Sequence, residues 1–588
     1  MSGSSKRRRR RSAARPQPSA EQGAVAEVIA VERPEVVWEP ERPFADVEEF
    51  EAGEADERLL RLLMKDWRKG RATRSVWDMI TDSYVTIFSL VVIVAMFASG
   101  VMSVQRSTAG CSTAGCTTAR GLVPWLLYAG AVLVALTVSR IFGPVIASAA
   151  EGFWLLDAPV RRAKLLNRRL WLVLVVAFLA AVLAGGLVVS LIGMATEAVL
   201  VWTAAFGLAA AAATAFAARA QSAERTLPLA IAQGIAAAVC TIVLMAMVAV
   251  SYGWLQVMVD PVVTEELGII ALAVALVGLI GAVAAARMGL GQTRRARLVS
   301  GGDLLSGMQG AAFALDFGLM RDILVERRWV ERGFVHPTRG RGTGRQTLIW
   351  RDVERLVRSP RSVLVLLVSA LVPYALLSLG LGNFTPAIAA IVLMFVMVPF
   401  FDSLRVLNRT KGLARAFPLS TSEINGALTT VPAALAIVWA FAAAPAFVVI
   451  GQETVGLEQL GVGLAQSFVT AAAGYVAAIR WVSAKSADYS SPMVATGMGA
   501  LPPGLAFNLV RGFDVIALIS LPLIVGWSPL VSIAIAAVCY FVLRSGGINT
   551  QDLMERNEEA QKELATMRSG QAKPREKIVV ERSRRRTT

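Results

Sequence analysis

The feature that most constrains this chain is a series of apolar runs about as long as a bilayer is thick. Roughly 20 apolar residues in a helix cross the hydrocarbon core, and a helix satisfies its own backbone where no water can do so. Such runs occur at Tyr84–Val104, Leu122–Ile146, Leu170–Ile192, Val199–Ala218, Leu229–Trp254 and Leu267–Met288. Six more follow at Val363–Leu381, Ala387–Phe401, Ala427–Ile450, Val462–Ile479, Pro503–Ile524 and Leu530–Leu543. With a mean hydropathy of +0.57, the chain is too apolar for a water-soluble protein. The expectation is an all-α polytopic membrane protein with twelve transmembrane helices.

The net charge of +16 falls mainly between these runs and in the tails. Charge placed there reports orientation and contact with anionic lipid headgroups, a better account of it than nucleic-acid binding. Residues 1–56 begin with a basic tip, Lys6–Arg11, followed by an acidic, proline-containing stretch. No apolar core of a secretion signal follows that tip, so a disordered cytoplasmic tail is expected. The polar break Glu151–Leu170 carries Arg161, Arg162, Lys164, Arg168 and Arg169; a second break, Leu407–Gly426, carries Arg409, Lys411 and Arg415. By the positive-inside rule both breaks and both termini are cytoplasmic in a plasma-membrane protein, with Arg106 and Arg120 as exceptions in the first outer loop. The arginine-rich centre, 289–345, would be a cytoplasmic linker, with helical apolar spacing over Asp303–Val330 and a loop over Phe334–Gly344. Residues 545–588 form a second cytoplasmic tail. The string GRGTGRQT lacks the spacing of a phosphate-binding loop.

The two halves share an order of parts. Residues 57–288 and 346–544 each read as an amphipathic lead-in, two spans, a basic break containing a proline, and four spans. Pro159 in DAPVRR matches Pro418 in AFPLST, and Pro144 and Pro399 close the second span of each half. Two parallel six-helix repeats follow from the even span number; the rival account is that any twelve-span chain divides six and six.

Several residues stand out singly. Arg511 and Asp514, three apart in the eleventh run, share a helix face, and either line a polar path or lie at the membrane interface. Gln233, Gln466 and Asn508 are polar residues inside spans that could line a path or bind neighbouring helices. Cys111 and Cys116 share an exoplasmic loop in which they could form a disulfide or remain free thiols. His336 is the single histidine. No metal site and no catalytic cluster is read from the sequence, and the chain is not expected to be an enzyme.

At its lead-ins and breaks the chain resembles the permease subunits of ABC-2 type exporters. The string WRDVERLVRSPRSVLVLL looks like that family's surface-lying connecting helix, and LLDAPVRRAKLL and ARAFPLSTSEI look like its break between the second and third spans. In that family a short coupling helix at this break fits a groove on a cytoplasmic ATPase. The resemblance implies a fused pair of six-span permeases moving an unknown substrate with two copies of a separate ABC-type ATPase. It also implies ATP-coupling contacts at Asp157, Pro159, Arg161, Arg162, Lys164, Arg415, Pro418 and Glu423. No ATPase motif occurs in the sequence, so the chain itself would hold no cofactor, and ATP with Mg would sit on the partner. The rivals are a twelve-span secondary transporter of the major facilitator type and a membrane scaffold that transports nothing. The first lacks support in the glycine-poor break after Asp157, and it gives the lead-ins no purpose.

Overall fold

The computed structural model describes residues 114–156, 162–255, 261–313, 316–334, 336, 338–410, 413, 416–449, 456–483, 494–496, 499–501 and 510–544. Both tails, the first lead-in and the run Tyr84–Val104 lie outside the described residues, as do Asp157, Pro159, Arg161, Arg415, Asn508 and Cys111. Among the described residues nine helices are long and apolar enough to cross a membrane, and two shorter apolar helices follow. The chain is a polytopic helical membrane protein, with one small hairpin of β1 (Val494–Thr496) and β2 (Gly499–Leu501) paired antiparallel.

The first half contains α1 (Ala114–Phe142), the short α2 (Ala149–Trp154), α3 (Arg162–Ile192), α4 (Thr196–Ser222), α5 (Leu227–Ser251) and α6 (Pro261–Gly289). α1 begins upstream of the expected Leu122 and absorbs Arg120, which is therefore helical rather than in a loop. It stops where Gly143 turns the chain at φ 81°. Likewise α3 starts at Arg162 rather than Leu170. Nothing in RAKLLNRRL breaks a helix, so the basic cluster forms the first turns of the span.

α4 is the hub of this half. Its alanine-rich surface lets α1, α3 and α6 approach closely, the mode of association available to helices in lipid. The contact with α3 is reciprocal: a Cβ at Gly185 would come within 2.3 Å of the Phe206 ring, and one at Gly207 within 2.6 Å of the Phe178 ring. Each glycine accommodates the other helix's phenylalanine.

The linker is not one helix over Asp303–Val330 but two, α7 (Arg295–Phe313) and α8 (Phe317–Arg332). Asp316 starts the second by accepting a hydrogen bond from the Leu319 amide at 2.9 Å, a cap that favours a new helix start over continuation. The lead-in follows as α9 (Arg345–Arg358), entered from Gly344 at φ 56°.

In the second half, prolines divide the first two spans. The seventh run becomes α10 (Pro360–Ser369) and α11 (Val372–Ser378), because Pro373 has no amide to continue the ladder. Trp439 Nε1 donates to Ser369 Oγ at 3.1 Å across that joint. The eighth becomes α12 (Thr385–Met397), a 3₁₀ turn at Val398–Phe401 containing Pro399, and α13 (Asp402–Arg409). Then come α14 (Thr421–Val449), α15 (Leu457–Val482), α16 (Phe513–Val525) and α17 (Pro529–Arg544).

α15 is the hub here, packed against α12, α14, α16 and α17. In chain order, α12, α14, α15, α16 and α17 stand where α1, α3, α4, α5 and α6 stand in the first half. Every principal pairing among the first five recurs among the second five: α4 with α3, α1 and α6 as α15 with α14, α12 and α17, and α1 with α5 as α12 with α16. The halves meet where α11 packs on α5 and α1, with Ala375 buried beside Ala119, Val123, Leu244 and Met247.

Candidate functional site

The parts that sequence singles out, two breaks and an arginine-rich linker, come together on one side of the helices. Each break is held by a different linker helix.

At the first break, the backbone after α1 is fixed by a side chain acting as a strand partner. Gln221 Nε2 donates to the Val145 carbonyl at 3.0 Å, and the Val145 amide donates to Gln221 Oε1 at 3.2 Å. α2 follows, closed by a reciprocal cap between Ser148 and Glu151. Arg169 of α3 reaches back to Glu151 Oε1 at 2.6 Å and to the Ile146 carbonyl at 2.7 Å. Burial works to raise the Glu151 pKa, but the hydrogen bonds from Arg169 and Ser148 outweigh it and hold the carboxyl below its ordinary value.

α7 crosses this break at backbone contact. The Ala147 amide donates to the Leu298 carbonyl at 3.0 Å. A Cβ on Gly301 would lie 2.1 Å from the Phe142 carbonyl oxygen, and one on Gly302 2.0 Å from that of Ala147. Only glycine fits at either position. Phe153 and Trp154 of α2 remain exposed, with the Arg295 guanidinium 5.6 Å from the Phe153 ring centre.

At the second break the fastening is ionic. Asp322 of α8 accepts from both Arg405 and Arg409 of α13, with Arg405 Nη2 to Asp322 Oδ2 at 3.0 Å. Arg321 pairs with Asp402 and donates to the Val398 carbonyl at 3.1 Å. Arg409 also lies 3.7 Å from Asp316, the residue that caps α8. Arg405 is only 3% exposed, so its charge depends on that carboxylate.

The lead-in α9 is tied to both ends of the same break. Arg345 pairs with Glu423 at the start of α14; Asp352 and Arg355 both bond Ser403 on α13. Asp352 is 5% exposed, and its Oδ2 finds no hydrogen-bond partner among the described residues. Burial pushes its pKa up to about 6, against hydrogen bonding from Ser403.

The expected contact residues are thus spread unevenly. Arg162 and Lys164 are exposed on the first turn of α3. Pro418 lies exposed in a turn and starts no helix; Ser420 is the cap of α14, exchanging hydrogen bonds with Glu423 at 2.9 and 3.3 Å. Glu423 is therefore committed within the chain, to the cap and to Arg345. Sequence reasoning missed Asp316, Asp322, Asp402 and Asp352. One signal was available: Arg405 and Arg409, four apart on one helix face, call for a carboxylate partner.

The expected placement of Arg511 and Asp514 on one helix face is corrected. Gly512, at φ 91°, breaks the helix between them, and α16 begins at Phe513. Asp514 instead accepts from Arg480 of α15 at 2.6 and 2.8 Å and from the Gly512 and Val515 amides. Gln233 bridges α5 to α1 through Arg140 and Thr137, and Gln466 is half-buried on α15. Cys116 is disulfide-bonded, while Cys240 and Cys539 are free. Among the described residues no group of His, Cys, Asp or Glu is placed to hold a metal ion.

Residues 116–492 match DUF6297, a family of unknown function, and that span is more than half of the chain. The chain belongs to DUF6297. No curated protein and no solved structure matches it. The DUF6297 span takes in both breaks, α7, α8 and the lead-in α9, and it ends before the hairpin, α16 and α17.

Proposed function

We propose that this DUF6297 chain is the membrane unit of an ABC-2 type exporter: two parallel six-span repeats fused in one chain, with breaks and termini on the cytoplasmic side. A separate pair of ABC-type ATPases would drive it. The observation that carries the reading is the coupling of α9 to its break. Arg345–Glu423 ties α9 to the start of α14 and Asp352–Ser403–Arg355 ties it to α13, so that α9 and both ends of the break would move together. A push on the break is then delivered to α14 and to its hub α15. The recurring pairings around α4 and α15 support the repeat. Arg162 and Lys164, exposed and basic on the first turn of α3, would be contacts of the ATPase; Arg161 and Arg415, the other two basic contacts of this reading, lie outside the described residues.

The test is affinity purification of the tagged chain from its own membranes, with mass spectrometry and an ATPase assay. It is run beside a variant carrying Arg161→Glu, Arg162→Glu and Arg415→Glu. An ATP-binding-cassette subunit recovered with the wild type and lost with the variant is the expected result. Recovery of no ATPase with the intact chain sinks the exporter reading.

A second reading has its own observation. Because α7 and α8 hold both breaks, the basic side is already bound by the chain itself. That arrangement suits a membrane scaffold which presents its linker to a partner and transports nothing, and it predicts recovery of a partner without ATPase activity.

A further inference from the structure

On the basic side of the first half, four arginines from four elements converge on a cavity of about 60 Å³ beside Gln221. Arg140 comes from the last turn of α1, Arg225 from the turn between α4 and α5, Arg297 from α7 and Arg327 from α8. One carboxylate, Glu224, also lines the cavity, but it is engaged outside it by Arg294 at 2.8 Å. Arg225 and Arg297 meet no carboxylate among the described residues, while Arg327 is engaged by Ser300, donating to its carbonyl at 3.2 Å and its hydroxyl at 3.3 Å. Like charges gathered around one cavity make a positive potential there that favours an anion.

The backbone here is unusual as well. Glu224 adopts φ 54°, the single non-glycine residue with positive φ among the described residues. Strain of this kind persists where surrounding structure holds it, and such positions cluster at ligand clamps. The strained turn carries Arg225 at the cavity.

Val134 and Val138 on α1 and Leu227, Ile231 and Ile235 on α5 are exposed apolar residues on the two helices that flank the cavity. Between them Arg140 donates to Gln233 Oε1 at 2.9 Å, which leaves other guanidinium N–H groups for a ligand. A basic pocket continuous with lipid-facing helices, at the level where a span ends, matches a phosphate headgroup with its acyl chains attached.

We propose that this cavity binds the phosphate of an anionic glycerophospholipid, with the acyl chains lying along the exposed faces of α1 and α5. Arg140, Arg225 and Arg297 supply the donors, and Arg225 and Arg297 set the preference for an anionic over a zwitterionic headgroup. A lipid seated there joins α1, α5 and α7.

The experiment uses the full chain purified in detergent and titrated with dioleoylphosphatidylglycerol, dioleoylphosphatidylcholine, dioleoylglycerol or inorganic phosphate. Thermal unfolding and native mass spectrometry give the binding. Phosphatidylglycerol should bind and raise the unfolding midpoint, and the other three should not. Arg225→Ala/Arg297→Ala should weaken phosphatidylglycerol binding by roughly tenfold or more, since each basic residue near an anionic surface contributes about 1 kcal/mol. Both side chains are exposed, so the fold should survive; the paired lysine replacements, which keep the charge, should bind within a few-fold of wild type. A charge-matched control, Arg168→Ala/Arg328→Ala, removes two exposed arginines elsewhere and should bind as wild type does. Wild-type affinity in the first variant, or an equal loss in the control, overturns the site. Equal stabilisation by inorganic phosphate overturns its assignment to lipid.

Discussion

The two breaks do the same job in the order of the chain and are held by opposite physics. α7 holds the first through backbone contact at Gly301 and Gly302, with one amide–carbonyl bond between Ala147 and Leu298. α8 holds the second through carboxylates and guanidiniums: Asp316, Asp322 and Asp402 against Arg321, Arg405 and Arg409. Close packing is indifferent to pH and salt, whereas ion pairs can be loosened by either. The linker therefore has one fixed end and one end whose grip depends on charge. If the breaks move relative to each other, the second is the one that can release.

The largest expected effect breaks the fixed end. Gly302→Val places a Cβ where the Ala147 carbonyl oxygen would be 2.0 Å away, against backbone that has no rotamer to yield. The loss should exceed about 3 kcal/mol locally and undock α7. Limited proteolysis should then cut within Arg295–Phe313 at any ionic strength; an undisturbed pattern would mean that the contact is not as close as described. Next in size is Asp322→Ala, which leaves the buried Arg405 without its carboxylate and should cost about 3 to 5 kcal/mol. Cutting should appear in Phe317–Arg332 and spare α7. In the wild type, 1 M salt should produce a weaker form of the same pattern at α8 alone. Equal salt sensitivity of α7 and α8 would remove the distinction between the two ends.

Asp352 sharpens the comparison through pH, since it lies beside the ionic end. Its folded pKa of about 6 is above the ordinary aspartate value, so the folded state holds its proton more tightly than the unfolded chain does. Stability from this group is therefore highest below about pH 4, falls as pH rises toward 6, and is flat above. The span of the fall is at most about 3 kcal/mol. Asp352→Asn keeps an oxygen for Ser403 and should flatten that part of the profile, with a higher unfolding midpoint at pH 7.5. A variant that melts lower than wild type at pH 7.5 would show that the charged form is needed.

What was legible in the sequence follows from what is local. Run length alone marks the apolar helices, which occupy the greater part of each predicted run that falls among the described residues. The ends were misjudged wherever the helix continued past the apolar part, as at Arg162–Arg169, because polarity marks where lipid stops and not where a helix stops. Counting three residues along a helix puts Arg511 and Asp514 on one face, and one glycine at positive φ undoes the count. The site was less legible still. Asp322 and Arg405 are far apart in sequence, and nothing local to either says that they meet. The glycine pair in α7 reads as a weak helix segment until the carbonyls of Phe142 and Ala147 are placed against it. The resemblance marks Glu423 as a coupling contact, and nothing in it says that the helix Glu423 begins also uses it as a cap.

The smallest expected effect tests whether the fixed end is wholly free of charge dependence. Glu151 and Arg169 join α2 to α3, with side chains 28% and 31% exposed. A half-sheltered pair of this kind contributes about 1 kcal/mol or less. The Glu151 pKa is depressed, so its contribution is complete above the ordinary glutamate range and is lost as pH falls through the folded value. Asp352 moves stability the other way over a neighbouring interval. Glu151→Gln keeps the cap on Ser148 and removes the charge, so it should lower the unfolding midpoint slightly near neutral pH and leave proteolysis of α7 unchanged. If α7 becomes cleavable in Glu151→Gln, the packed end also leans on an ion pair, and the two breaks differ in degree only.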